Sequence, residues 1–322
     1  MRSRGWASFN RTPRRSSVIS LRSSKGVRRF RRHRRPQRER VAVPPEGDNI
    51  RRSKAPRGSD SAIVLVIDKR DWAAEFDEVY AAPASAVAER IWREVFGDEY
   101  PEGVDPNSYV TVSELGRFAE ELRVGEGDLL LDAACGGGGP GLWVAARTGT
   151  DLVGFDISVT ALEAARARAA ALGLAGRTEY RVGSFHDTSL EDGIADAVMS
   201  VDALLFAPDK TAALEELHRV LRADGRLVFT SWDYHRQPEG RPPQVDDHRP
   251  LLQANGFDVL AYDETRDWLA VQTQTTDALL DSVDELAAES DADPVKLRAS
   301  LEEMRATMDS ISRRVFVVAQ RA

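Results

Sequence analysis

The 322-residue chain carries 44 Lys and Arg against 52 Asp and Glu, with 42% hydrophobic and 30% charged residues, and that length can bury a full core as one large domain or two small ones. No run of 18 apolar residues occurs, so no helical membrane span is expected. The single cysteine, Cys135, excludes a disulfide or a multi-cysteine metal site within these residues, and a reducing cytoplasm fits.

Charge divides the chain near residue 60. Residues 1–60 hold 19 basic against 4 acidic residues, a net of +15, and the remainder holds 25 against 48, a net of −23. The basic tail, with "RRFRRHRRPQRER" at its centre, has no sustained periodicity and few large apolar residues, so it is expected to be disordered. Its arginines would suit a nucleic-acid arm, and the lack of acids before Glu39 would suit a transit peptide. "RRSSVIS" resembles a twin-arginine export signal, but Arg22 and Lys25 interrupt the apolar region that such a signal needs. The reading preferred is a dispensable extension, or a translation start placed too far upstream.

From residue 61 to about 125 a helical cap is expected. "SAVAERIWREVFG" spaces Val87, Ile91 and Val95 on one helix face, and "TVSELGRFAEELRV" reads as a second helix with Ser113 as its N-cap. Residues 126–322 then alternate. "DLLLDAA" is a buried strand, "GPGLWVAARTG" a helix closed by Gly149, "DLVGFDIS" a second strand and "VTALEAARARAAALGL" a second helix. "RTEYRV" and "ADAVMSVDAL" are strands three and four. "KTAALEELHRVLRADG" is a helix, "GRLVFTSW" strand five, and "HRPLLQANGFDVLAY" a further helix and strand. A helical insert over roughly 275–312 precedes a last strand, "RRVFVVAQ". The pattern predicts an α/β fold: a doubly wound, Rossmann-like, seven-stranded, mostly parallel sheet with the last strand antiparallel. Ligands should gather at the carboxyl ends of its strands.

The glycine run after strand one carries the chemistry. Gly136, Gly138 and Gly141 match the dinucleotide spacing G-x-G-x-x-G, and Asp156 lies 20 residues after Gly136, where a ribose-binding acid would sit. The acid at the tip of strand one, Asp132, argues against a pyrophosphate, which it would repel; it suits a cationic group. Several motifs in order resemble the class I S-adenosylmethionine-dependent methyltransferases, in particular the large branch acting on small molecules. "LLLDAACGGGG" is similar to that family's D-x-G-x-G-x-G, with Asp132, Gly136 and Gly138 matching and Ala134 in place of the first glycine.

The resemblance covers about Val79 to Ala322 and implies S-adenosylmethionine as cofactor. Asp132 would face its methionyl ammonium, directly or through water. Asp156 in "VGFDIS" would accept both ribose hydroxyls, and Ile157 would pack on the adenine. Ser184 in "RVGSFHD" stands where an acid commonly meets the adenine amino group, with Phe185 beside it and Asp187 as a substitute acid. Asp202, in "ADAVMSVDALLFAPDK", would sit over the active site as both a cofactor-binding and a catalytic residue.

Methyl transfer from a sulfonium needs alignment above all, and a base only where the acceptor must lose a proton. His235, just beyond strand five, is the candidate base because its unperturbed pKa is near neutrality. His248 reads as the opening of a surface helix, and His186 as nearer the adenine. Leu205 and Phe206 stand where many relatives carry histidines, which favours an apolar acceptor pocket or a base-free transfer. Tyr109, Phe206, Trp232 and Tyr234 are the aromatics expected at the mouth, and the cap and insert are expected to close over it.

The function expected is methyl transfer to a small-molecule acceptor, with O-methylation of a secondary metabolite or sugar ahead of N- or C-methylation. Neither metal nor membrane is expected, and monomer and homodimer both stay open. A nucleic-acid methyltransferase is disfavoured by the −23 domain. A nicotinamide oxidoreductase is disfavoured by Asp132, and a non-catalytic S-adenosylmethionine-binding protein remains as an alternative. Removing the first 58 residues is expected to leave folding and activity intact, as read by circular dichroism and ligand calorimetry; loss of either would show the tail to be functional.

Overall fold

The computed structural model describes residues 71–82, 84–104 and 107–322; the basic tail expected over 1–60 lies outside the described residues. Seven strands, β1 (Leu129–Ala133), β2 (Asp151–Asp156), β3 (Thr178–Val182), β4 (Ala195–Val201), β5 (Leu221–Tyr234), β6 (Phe257–Glu264) and β7 (Ile311–Arg321), form one sheet in the order β3-β2-β1-β4-β5-β7-β6. Pairing is parallel from β3 through to β5, and β7 runs antiparallel to both β5 and β6. The doubly wound sheet expected from the alternating pattern is therefore the one observed.

Ten helices surround the sheet among the described residues. Before β1 come α1 (Trp72–Ala81), α2 (Ala86–Phe96) and α3 (Val112–Glu121); between strands come α4 (Gly139–Thr148), α5 (Val159–Ala171), α6 (Lys210–Val220) and α7 (His248–Ala254). The insert between β6 and β7 holds α8 (Trp268–Asp281), α9 (Val283–Ser290) and α10 (Pro294–Met308). No described helix is long and apolar enough to cross a membrane.

Strands buried on both faces read as unbroken apolar runs, because successive side chains enter opposite layers. Leu130, Leu152, Ala197 and Val228 join one core with Phe118, Leu142 and Leu162 of α3, α4 and α5. Leu131, Val153, Val198 and Leu227 join the other with Leu214, Leu217 and Leu252 of α6 and α7. The chain reverses its winding between β1 and β4, and such a switch opens a crevice at the carboxyl ends of the strands.

Three local readings differ from the sequence expectation. The N-cap of α3 is Thr111, not Ser113. Thr111 Oγ1 accepts from the Glu114 amide and the Glu114 carboxylate accepts from the Thr111 amide, both at 3.1 Å, a reciprocal capping box. Ser113 instead donates its amide and hydroxyl to Glu99. The insert begins at Trp268, earlier than 275, and ends by Met308 because β7 takes over at Ile311. The buried face of α8 is Trp268, Gln272, Thr275, Thr276 and Leu279; its spacing is helical but its middle is polar, which hides the period. Lastly, α1 adds a helix within the expected cap, ahead of the two helices singled out there. Its Asp77 accepts from the Ser158 hydroxyl at 2.6 Å and the Thr160 amide at 3.1 Å, tying α1 to the start of α5.

The cap and the insert share a core in which Ile91 of α2 meets Leu279 and Leu286. Glu289 of α9 accepts from the Ser85 hydroxyl and the Ala86 amide, closing the N-terminus of α2.

Candidate active site

The loop between β1 and α4 is shaped by two carboxylates. Asp156, at the end of β2, accepts from the Gly136 amide at 2.8 Å and from the Ser158 amide at 2.9 Å. Gly136 takes φ 51° under the Tyr80 hydroxyl of α1, so a Cβ there would be strained and would collide with that hydroxyl. Gly141 faces the Asp132 carboxylate closely enough that a Cβ would clash with it. Ala134, where the family pattern has glycine, also takes a left-handed φ of 55°, at a cost of about 1 kcal/mol.

Asp132 is 2% exposed, and its Oδ2 has no hydrogen-bond partner. Burial, and then the charge of Asp156, push its pKa up to about 7, against a smaller opposing effect of the Gly141 amide. Burial also raises the pKa of Asp156, although the Ser158 and Gly136 amides counter it. Two buried acids side by side are costly unless a cation or a set of donors arrives between them.

Three cavities meet here. The first, about 230 Å³, has Asp156, Ile157, Ser184 and Phe185 on the sheet side and Trp72 and Phe76 of α1 above. The second, about 50 Å³, lies along Asp132, Gly136, Gly137 and Gly139, with Tyr80 over it. Ala134, Gly136, Tyr80 and Val201 line both. The third, about 180 Å³, is walled by Tyr109, Phe206, Trp232 and Tyr234, with Met304 and Met308 of α10. Asn107 lines all three, and Asp202 lines the first and third.

Asp202 follows β4 with φ 53°, its amide donating to Thr230 O. Its carboxylate accepts from the Tyr109 amide at 2.9 Å and from Arg314 through Nε and a terminal nitrogen, each at 3.1 Å. Arg314, 2% exposed, also donates to Glu114 at 2.6 Å. Burial opposes its charge, but the Asp202 and Glu114 carboxylates outweigh that and hold its pKa above the ordinary value. Burial pushes the phenols of Tyr109 and Tyr234 up to about 12, so both stay protonated at neutral pH.

The site residues expected from the sequence separate as follows. Asp132, Ala134, Gly136, Asp156, Ile157, Ser184, Phe185 and Asp202 are brought to the first two cavities, and His186 reaches the first. Gly138 is not a lining residue; at φ 75° it caps α4 against Ala165 and Tyr180, while Gly137 and Gly139 line the second cavity. The Asp187 carboxylate turns to the Ser189 amide and hydroxyl, away from the first cavity. His235 is exposed and lines a separate groove with Asp246 and Asp247. His248 opens α7 as expected, but its own side chain is fully buried, its Nδ1 2.8 Å from Asp233 Oδ1, so it lies away from the three cavities.

Sequence reasoning passed over Asn107, Arg314 and Gln272, which carried no motif. It also passed over the α1 face, although Trp72, Phe76 and Tyr80 recur at four-residue spacing after Asp71, which caps the helix.

The comparisons agree with this geometry. Residues 131–229 match the family model described as a methyltransferase domain. Tocopherol O-methyltransferase of Arabidopsis thaliana is 29% identical over 167 residues, covering 47% of this chain and 48% of its own length. Methyltransferase GfsG of Streptomyces halstedii is 31% identical over 149 residues, covering 44% and 54%. The chain thus spans about half the length of these curated relatives. Among solved structures, the 4+2 cyclase SpnF shares the fold at a TM-score of 0.60 and 20% identity, over 77% of this chain and 94% of that one. Residues 131–229 thus correspond to a methyltransferase domain, and S-adenosylmethionine is the cofactor that such a domain uses.

The residues present fit that cofactor. Asp132, with a buried oxygen that lacks a partner, suits an ammonium, and Asp156 suits ribose hydroxyls at the mouth of an apolar adenine slot. A proton leaves the folded Asp132 only near pH 7, against 3.8 for the ordinary group. The ligand-free fold is therefore expected to lose stability as pH rises from about 4 to about 7, while affinity for S-adenosylhomocysteine rises through the same upper range. Asp132→Asn should raise the ligand-free melting temperature at pH 8 and weaken S-adenosylhomocysteine at least about tenfold. Melting curves and calorimetry at pH 5.5 to 8 check both signs; affinity independent of pH in the unmodified protein would contradict the assignment.

Proposed function

We propose that the protein transfers the methyl group of S-adenosylmethionine to a small-molecule acceptor held in the third cavity. The observation that carries this reading is the meeting of that cavity with the two donor cavities at Asn107 and Asp202. When bound, the donor supplies an activated methyl group on a positively charged sulfur. The chain's own contribution is alignment: Asp156, Ile157 and Phe185 hold the nucleoside end, Asp132 and the glycine loop the amino-acid end, and α1 shields both from water.

As methyl passes to the acceptor, positive charge passes with it across the junction. Asp202 lies there, fixed by Arg314 and the Tyr109 amide, and a carboxylate that need not reorient stabilises that charge. Because three donors already hold its two oxygens, its role is electrostatic rather than that of a general base.

Transfer to an oxygen of a secondary metabolite remains the preferred finer reading, and tocopherol O-methyltransferase is among the relatives. A sugar fits poorly against four aromatic rings and two thioethers. A second reading, transfer to nitrogen or carbon, is favoured by one observation: among the described residues no histidine lines the third cavity, and its two tyrosines are held protonated. Such an acceptor attacks without first losing a proton.

Asp156→Ala is expected to weaken S-adenosylhomocysteine about 10- to 100-fold by calorimetry, the loss of two charge-assisted hydrogen bonds. Unchanged affinity would show that the nucleoside does not lie on Asp156.

A further inference from the structure

We propose that the acceptor is an uncharged, ring-bearing alcohol, anchored by a hydroxyl between the Trp232 indole and the Gln272 amide. This rests on the methyl-transfer reading of the same site and adds the chemical class of the acceptor.

The walls of the third cavity set its shape. Tyr109, Phe206, Trp232 and Tyr234 present aromatic surface, with the rings of Trp232 and Tyr109 edge to face at 6.3 Å and 88°. Met304 and Met308, one turn apart on α10, add thioethers that can adapt to a ring placed against them. A space of about 180 Å³ bounded in this way takes a flat apolar body of one or two fused rings.

The polar atoms among those walls are unusual. Ser108 Oγ, Trp232 Nε1 and Gln272 Oε1 are buried without a hydrogen-bond partner, and all three residues line this cavity. Trp232 is 6% exposed and Gln272 4%. Folded proteins leave few buried polar atoms unpaired, so several on one cavity point to a ligand that pairs them. Indole Nε1 only donates and the amide Oε1 only accepts. A carboxylate or phosphate could satisfy the first but not the second, and an ammonium the second but not the first. A hydroxyl does both.

Charge supports a neutral acceptor. Asp202 is balanced by Arg314, and the Arg241 guanidinium lies over the rings of Trp72 and Phe206 at 5.4 and 5.6 Å. A cationic acceptor would enter an enclosure whose carboxylate is already paired and would lose its water without a new counter-ion, and an anionic one, though it would meet Arg241 on the cavity wall, would leave the Gln272 Oε1 acceptor unpaired. Because Gln272 comes from α8 and the methionines from α10, while Trp232 and Tyr234 come from β5, the insert and the sheet together set what the enzyme accepts.

The test titrates the full chain, saturated with S-adenosylhomocysteine, with 2-naphthol, naphthalene and 2-naphthoate by calorimetry. The expected result is 2-naphthol at least about tenfold tighter than either of the others. Gln272→Leu and Trp232→Phe should each remove most of that preference for 2-naphthol over naphthalene while leaving S-adenosylhomocysteine affinity unchanged. Retained S-adenosylhomocysteine binding shows that a variant is folded; should one variant lose it, the other variant and the unmodified protein's own ranking still decide. Naphthalene or 2-naphthoate binding as tightly as 2-naphthol, or no binding by any of the three, overturns the proposal and leaves the methyl-transfer reading standing. Failure of S-adenosylhomocysteine itself to bind overturns that reading and the proposal together.

Discussion

A buried guanidinium is tolerated only where carboxylates and hydrogen bonds replace the water it has lost. Arg314 meets that condition by reaching from β7 to two acids far apart in the chain, Asp202 at the end of β4 and Glu114 in the first turn of α3. Through Glu114 it fixes the capping box that starts α3, and through Asp202 it fixes the amide of Tyr109. The segment that brings Asn107 to the meeting point of the cavities is therefore held at its C-terminal end by one arginine on the only antiparallel strand among the described residues. Charge-assisted contacts of this kind give position as well as energy, and position is what a methyl transfer needs.

The second constraint is an electrostatic conflict left open at the glycine loop. Asp132 and Asp156 are both buried, and the charge of Asp156 disfavours that of Asp132; only Asp156 has amides enough to settle its oxygens. Asp132 Oδ2 is left unpaired at a cavity, where the methionyl ammonium of the proposed donor would pair it. The same feature turns the G-x-G-x-x-G spacing away from dinucleotides: the loop can approach a ligand closely, but what it approaches beside Asp132 cannot be a pyrophosphate.

Much of this was legible in the residues because each donor contact is local to a strand end. Asp132, Asp156 and Ile157 follow or end apolar runs whose periodicity places them without help from the rest of the chain. The acceptor side was less legible because it is assembled from separated parts. Tyr109, Phe206, Trp232 and Tyr234 were expected near the mouth, yet Gln272, Met304 and Met308 reach it only because the insert folds over the sheet. Gln272 reads as an ordinary polar position in a threonine-rich helix. Arg314 reads as a charged strand entry beside Arg313. Strand alternation sends the two opposite ways, Arg313 to Asp233 and Arg314 to Asp202, and only the fold shows that the second is buried. His235 failed as the candidate base for the converse reason, since nearness in sequence to a strand end does not fix the direction of a loop side chain.

The central claim is that the glycine-loop cavities hold an adenosyl amino acid and not a dinucleotide. Calorimetric titration of the unmodified protein with S-adenosylhomocysteine and, separately, with NAD tests it directly. Saturable one-site binding of S-adenosylhomocysteine with no heat from NAD is the predicted result; binding of NAD without S-adenosylhomocysteine would contradict the account.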